Sequence, residues 1–596
     1  MKFFALFLVA AILPAAVHAQ DRIRIGQVGL QGYYSTSVPT PVRVHIPALA
    51  ESQTIRVQFT VESGELRNPS AWWQTDRFEK QLQVASGKPL DVDLPILFPA
   101  NEVRRLRVKW IDAQGRVIGE DSIEGGFKSL NAVSMIAIYC PEDSQCLEAQ
   151  SQISPIRKSQ EGWQPRNDLL FVLLKELQSD WLDYGAAYAV VIAGSIGDIT
   201  SEQATALEYF LRSGGILVLQ EKEVANNLFL ASYRQGPAPF QPQRVGKGRF
   251  YRVSSLQSKE LTELFSVNPR SGAAWIPRVS SFGWNSAVAQ LLGRIGVSFT
   301  FPRLRWLLIW VGLYILIVGP ANFTLLKRLR RLEWGWVTVG VAALFFAAGL
   351  YLASSAQRPR HFTLDGAIIY WMDGHSPVAH EEMGFRISSP SREQVGLTIN
   401  DDVLLARPLN FQWGEASEEY LGAGITGHGG PREGWMVQLA PPLRIETPMR
   451  RWSFRDFYAQ GFHEFSGTVH WTSATRLRND TGRRFQEAIY LDFAAHKKYA
   501  ISGMAPGEEV DLASIIPVDY LRLHKYPSFA PILGYIPAPA KEPLSLEEFI
   551  FSGLDIFPAM HIFAGVVEPA GINASLDAEG TTQQNVAVAI IGMDPP

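Results

Sequence analysis

Tyr188–Gln220 reads YAVVIAGSIGDITSEQATALEYFLRSGGILVLQ, and its period changes twice. YAVVIAGS is a continuous apolar run, the pattern of a strand buried on both faces. TSEQATALEYFLRSGG reads as a helix. Thr200 and Gln203 form a Thr-x-x-Gln capping box at its start, and Gly214-Gly215 close it. ILVLQ is a second buried strand. A strand–helix–strand unit crosses over with one hand and leaves its strands parallel. The stretch therefore predicts a doubly wound α/β sheet.

Working outward, VSMIAIYC (Val133–Cys140) is another apolar run, and RNDLLFVLLKELQSDW (Arg166–Trp181) has apolar spacings of three and four that predict a helix. Downstream, GRFYRVSSL adds a strand, so an α/β flavodoxin-like parallel sheet is placed at residues 130–260. Ligands of such sheets sit beyond the carboxyl ends of the strands. The loop AGSIGDIT stands there and carries Ser195. Its spacing approaches a nucleophile elbow, but the elbow runs straight into its helix. Here the helix begins about five residues later, and no histidine occurs in 131–303 to activate a serine. Cys140 and Cys146 are the two cysteines of the chain. Within one helix they would lie about 9 Å apart along the axis, beyond disulfide reach. A loop at Pro141 would let them close, so they form a candidate disulfide.

Further along, LRWLLIWVGLYILIVGPANFTLL (Leu304–Leu326) and WVTVGVAALFFAAGLYLA (Trp336–Ala353) are apolar runs, the first long enough to cross a bilayer. Between them stand Lys327, Arg328, Arg330 and Arg331 with one acid, Glu333. A charge at bilayer centre costs about 2.5–3.5 kcal/mol, so these cations belong outside the hydrocarbon. Their density marks the loop as cytoplasmic. Gly319-Pro320 interrupts the first run, where a proline removes a helix hydrogen bond and kinks the axis. Asn322 follows, able to bond a freed carbonyl. Neither run contains an Asp, Glu, Lys or His to carry an ion or proton.

The remaining segments alternate as β-strands. Residues 20–129 suggest an immunoglobulin-like β-sandwich, with DAQGRV as a hairpin turn. Residues 354–596 suggest one or two further β-rich domains, with one helix at LSLEEFIFSGL, and residues 261–303 a helical linker. Trp72-Trp73 suits core and surface packing more than a sugar platform. Gly422, Gly424 and Gly427 match a dinucleotide fingerprint by spacing alone, without the flanking strand and helix it requires. MDGHSPVAHEE offers Asp373, His375, His380, Glu381 and Glu382, yet lacks zinc-ligand spacing and reads as a solvated hairpin. No catalytic, cofactor-binding or metal residue is expected.

At the other end, Lys2 followed by FFALFLVAAILPAAVHA predicts a signal peptide over 1–19, which would send the flanking segments to the periplasm. A net charge of -3 provides no basic field for nucleic acid. The organisation is thus multidomain, with the membrane hairpin at 304–353 inside an otherwise exported chain.

This order resembles that of a group of bacterial envelope membrane proteins. They carry an immunoglobulin-like domain, a degenerate class I glutamine amidotransferase-like domain, a two-helix membrane hairpin and a β-rich tail. The likeness rests on YILIVGPANFTLLKRLRRLEWGW (Tyr314–Trp336), on Tyr188–Gln220, and on RLRNDTGRRFQEAIYLDFAAHKKYAISGMAPGEEV (Arg476–Val510). True amidotransferases place a cysteine in a Gly-x-Cys-x-Gly elbow with a downstream His and Glu. This chain has no such elbow, so the resemblance implies the fold without the activity. It also implies an accessory role beside a transport system or an AAA ATPase. The partners expected are the lipid bilayer and membrane or periplasmic proteins. An exported carbohydrate-binding or carbohydrate-active protein is the alternative. It would need two convergent carboxylates, which the adjacent pairs Glu381-Glu382 and Asp401-Asp402 do not provide on a strand.

Overall fold

The computed structural model describes residues 23–30, 32–34, 40–63, 74–96, 98, 103–125, 128–129, 133–159, 168–193, 199–220, 243–253, 288, 291–292, 304–356, 360–400, 403–408, 436–439, 442–449, 453–492, 495–519, 561–568, 574–578 and 581–593. The chain is multidomain and β-rich, with one doubly wound sheet and two apolar helices.

The doubly wound sheet has six strands. Asp168–Leu174, Val133–Tyr139, Ala187–Ile192, Ile216–Gln220 and Gly248–Val253 run parallel in that spatial order, and Gln243–Val245 adds an antiparallel edge. In chain order the parallel strands stand 2-1-3-4-5, the flavodoxin-like arrangement. Two helices belong to it, α1 (Asp143–Ser159) and α2 (Ser201–Arg212). The capping box at Thr200 and Gln203 is formed on both sides.

One expectation is corrected here. Arg166–Trp181 is not a helix: Asp168–Leu174 is the edge strand, followed by a 3-10 turn at Trp181–Tyr184. The crossover helix is the polar stretch Asp143–Ser159 instead. Asp168–Leu174 is a short run rich in apolar side chains, which periodicity alone does not separate from a buried helix.

Two large, mainly antiparallel sheets, each with one parallel pairing, pack face to face. The nine-stranded sheet is drawn wholly from the C-terminal region, with Thr363–Asp373 and Ser376–Ser389 near its centre. The eight-stranded sheet is shared. Met436–Gln438 pairs in parallel with Arg77–Glu79, joining Gln53–Ser63, Gln74–Val84, Val103–Ile111 and Val117–Glu124 to Glu393–Ile399 and Leu443–Met449. Segments 20–129 and 354–596, read from sequence as separate β units, therefore share one sheet. They also share one core, in which Val57, Phe59 and Phe78 belong to the same buried cluster as Met383, Phe385 and Phe457.

The other face of the nine-stranded sheet is covered as well. Val288, Leu291 and Leu292, the described residues of the linker, are helical and pack on Ala367, Ile369 and Trp371. Beside them the α/β unit docks, with Phe462 of the sheet stacked on Tyr209 at 4.2 Å and edge-on to Trp181 at 5.6 Å. The central strands are thus buried on both faces, which is why Thr363–Asp373 is buried over almost its whole length.

The apolar helices are α3 (Leu304–Leu316), α4 (Asn322–Arg328), joined to it by a π-turn at Ile317–Ala321, and α5 (Gly335–Ala356). Two 21-residue spans, Leu308–Arg328 and Leu332–Leu352, are long and apolar enough to cross a membrane. At 1.5 Å per residue each is about 31 Å long, close to the ~30 Å hydrocarbon thickness. Trp310 and Tyr314 pack on Phe346, both at 5.2 Å, so the helices lie against each other.

Candidate functional site

The strand Ser376–Ser389 alternates sharply. Met383, Phe385 and Ile387 face the shared core, and Glu381 shares their parity. His380, Glu382 and Arg386 face the α/β unit and the 288–292 segment, where charge is buried in a row. The spacing predicts a solvated hairpin at Asp373–Glu382; the hairpin forms and His375 at its turn is exposed, but the structure corrects the solvation of its strands. Asp373, His380 and Glu382 are buried because a second unit covers a face that the local pattern leaves open, and Glu381 is buried on the opposite face of the strand.

At one end of the row, the Arg212 guanidinium at the end of α2 is 2% exposed. It donates to Asp373 Oδ2 at 2.8 Å, to Val378 O at 3.1 Å and to Glu208 Oε1 at 2.7 and 2.9 Å. Asp373 also accepts the Gly246 N–H at 3.2 Å and the His375 N–H at 3.0 Å.

Next, Lys247 reaches Glu382 at 2.5 Å and lies 5.0 Å from the Trp371 ring centre. The turn Gly246-Lys247-Gly248 makes this reach possible. Gly246 has φ +58° and a Cβ there would stand 2.9 Å from Arg212 O; one on Gly248 would stand 2.0 Å from Leu211 O. Only residues without a Cβ let the turn press against the end of α2. Trp371 Nε1 and the Tyr458 hydroxyl also donate to Glu382, at 2.9 and 3.1 Å.

Burial by itself would raise the Glu382 carboxyl, but Lys247 and its hydrogen bonds outweigh that and hold it at about 2. Burial pushes His380 down to about 3, helped by the Lys247 charge, so its imidazole is neutral. A general base works best near the operating pH. Glu382 is matched instead to holding Lys247, and the row is suited to docking.

At the far end, Arg386 makes a two-pronged ion pair with Asp456, at 2.7 and 2.9 Å, and donates to Leu292 O at 3.1 Å. Burial raises the neighbouring Asp365 to about 6, against the pull of Arg386. Leu292 precedes the first apolar helix and Thr363 follows the second, so both arms of the helix pair are tied to the nine-stranded sheet.

The other sequence-designated residues lie elsewhere. Cys140 and Cys146 are joined in a disulfide, with Cα atoms 5.1 Å apart. Pro141 keeps Cys140 outside α1 while Cys146 sits in its first turns, which brings them within reach. The bond stands at the carboxyl end of the first strand, at the point where the strand order reverses. Pro320 lies within the π-turn, where the Asn322 N–H reaches Gly319 O and Ile317 O. The Thr324 hydroxyl bonds Pro320 O at 2.7 Å. Lys327 and Arg328 at the end of α4, and Arg330 and Arg331 in the turn after it, are exposed. Ser195, Trp72-Trp73, Asp401-Asp402, Gly422–Gly427, LSLEEFIFSGL and residues 1–19 lie outside the described residues.

Sequence reasoning missed Arg212, Lys247, Trp371 and Tyr458 as partners. A signal was present: Asp365, Asp373, His380, Glu382 and Arg386 recur at even spacing within apolar strands, and buried charges require partners.

No protein-family model matches the chain, and no curated protein matches it. Among solved structures it is similar to a cycloisomaltooligosaccharide glucanotransferase of Paenibacillus sp. complexed with cycloisomaltoheptaose, at 10% identity over 33% of this chain and 27% of that one, with a TM-score of 0.15. It is also similar to a β-glucosidase from Kluyveromyces marxianus in complex with glucose, at 7% identity over 79% of this chain and 45% of that one, with a TM-score of 0.08. The chain spans less than half the length of either, and likeness at this level carries no argument about fold or activity.

Proposed function

We propose that this chain is a non-enzymatic membrane protein of the bacterial envelope. It acts as an assembly or accessory component of a membrane complex, one associated with transport or with an AAA ATPase, as its resemblance at the sequence level implies. Both large segments stand on the periplasmic side, as an immunoglobulin-like and β-rich body with a non-catalytic amidotransferase-like unit docked on it. Only the basic turn reaches the cytoplasm.

One observation carries this reading. Strands that precede the helix pair and strands that follow it are hydrogen-bonded in one sheet, through Arg77–Glu79 and Met436–Gln438. A shared sheet cannot be divided by a bilayer, because lipid offers no partner to backbone groups. The helix pair must enter and leave on one face. The apolar leader at 1–19 and the four cations of the turn orient that face outward.

The test is impermeant maleimide labelling of intact and permeabilised spheroplasts carrying single introduced cysteines. Val117→Cys, at a site 52% exposed, should label in intact cells; Leu329→Cys, at a site 60% exposed, should label only after permeabilisation. Labelling of both in intact cells refutes the topology. Affinity capture from membranes in mild detergent then reads the accessory role, which predicts a stoichiometric membrane or periplasmic partner. A chain recovered alone and monomeric refutes that role.

A further inference from the structure

The turn between the two apolar helices is more ordered than a connector needs to be. Leu329, Arg330 and Arg331 return their N–H groups to Leu325 O, Lys327 O and Leu326 O, at 3.0, 3.2 and 3.0 Å. Leu326 is buried beneath the turn, its Cδ1 against Gly335. Arg330 takes φ +53° at this helix end. That conformation is costly for an L residue, and glycine is the residue usually found there. The chain places an arginine where glycine would fit with less strain.

The surroundings suggest what the arginine meets. Lys327, Arg328, Arg330 and Arg331 are exposed, and among the described residues none of them is in an ion pair. With Glu333 as the one acid of the turn, the local charge is four minus one, or +3. Leu329, Leu332 and Trp334 alternate with these cations and are 60%, 52% and 53% exposed. Interleaved cations and large apolar side chains at the end of two membrane-length helices match a layer with phosphate above and hydrocarbon below. Arginine presents a planar fork to phosphate oxygens, and the ordered turn holds the forks in place.

We propose that Lys327, Arg328, Arg330 and Arg331 form a binding site for anionic phospholipid headgroups, with Leu329, Leu332 and Trp334 seated among the acyl chains. The site rests on the membrane reading above. Its partner is a lipid phosphodiester such as phosphatidylglycerol.

The experiment reconstitutes the full chain into phosphatidylcholine vesicles containing a minority of phosphatidylglycerol. Association of spin-labelled phosphatidylglycerol is measured relative to spin-labelled phosphatidylcholine. Wild type should prefer phosphatidylglycerol. Arg330→Gly relieves the strained backbone, so it should fold at least as well while lowering the preference about fivefold, the equivalent of ~1 kcal/mol per cation near an anionic surface. Replacing all four cations by glutamine should abolish the preference. The proposal is overturned if wild type shows no preference, or if Arg330→Gly and the fourfold variant both keep it. Flotation with the vesicles at alkaline pH separates the two failures. A chain that floats without a headgroup preference overturns the lipid site alone, whereas a chain that does not float overturns the membrane reading with it.

Discussion

Arg212→Met should loosen the α/β unit from the nine-stranded sheet. Arg212 and Asp373 have side chains 2% and 6% exposed, so the pair is sealed from water. Removing one partner of a buried ion pair costs roughly 3–5 kcal/mol, because the other charge stays buried. Glu208, the second partner of Arg212, is 27% exposed and water can resolvate it, so the cost falls on Asp373. Asp373 keeps the N–H groups of Gly246 and His375, which places the expected loss at the lower end, about 3 kcal/mol. Asp373→Leu alone strands the arginine but leaves it Glu208 and Val378 O, and should cost about 2–3 kcal/mol. Together the two changes remove both charges, so the double variant should cost less than the sum of the singles by roughly 2 kcal/mol. Native-state hydrogen exchange of the full chain in detergent reads this directly, as opening free energies of the amides in Ile216–Gln220 and Gly248–Val253. Additivity within about 0.5 kcal/mol would show that the pair does not couple the two units, and would refute the reasoning.

Three other outcomes follow from the same geometry. Burial raises Asp183 to about 7, assisted by Asp180 and Asp93 and opposed by Arg43. From the ordinary value of 3.8 up to about 7 the folded chain holds a proton that the unfolded chain has released, so stability falls as pH rises through that window. Asp183→Asn should therefore flatten the pH dependence of thermal unfolding and gain at most ~4 kcal/mol above pH ~8; an unchanged profile counts against it. Asn479 is fully buried and donates to Arg483 O, Met504 O and Ala505 O while accepting twice from Thr481. Asn479→Ala should cost about 3 kcal/mol and open 480–508 to limited proteolysis, and continued resistance to cleavage argues otherwise. A Cβ on Gly384 would meet Val288 Cγ1 at 2.4 Å and Leu292 Cδ1 at 2.6 Å. Gly384→Ala should cost about 1–3 kcal/mol and be partly rescued by Val288→Ala, so a melting temperature equal to wild type would contradict the packing.

Some of this was legible in the residues. Local, periodic signals identified the α/β sheet, because a capping box, a glycine stop and buried strand runs act within about thirty residues of one another. The two apolar helices were equally plain from composition, and so was the charged turn between them. Asp168–Leu174 was misassigned because its apolar run suits a buried strand and a helix alike, and pairing with Val133–Tyr139 resolves it only in space.

What the tertiary structure alone decided is how the parts are joined. Residues 77 and 436 pair across most of the chain, and sequence carries no local trace of a contact at such separation. The same holds for Arg212 with Asp373 and Lys247 with Glu382. Each of these residues taken alone suits a solvated turn or helix end, and each is buried because a distant unit covers it. Sequence by itself determined the capped helix Ser201–Arg212, the buried strands beside it and the membrane-length helices, since those depend on near neighbours and composition. Burial of charge depends on which surfaces meet, and only the folded chain brings those surfaces together.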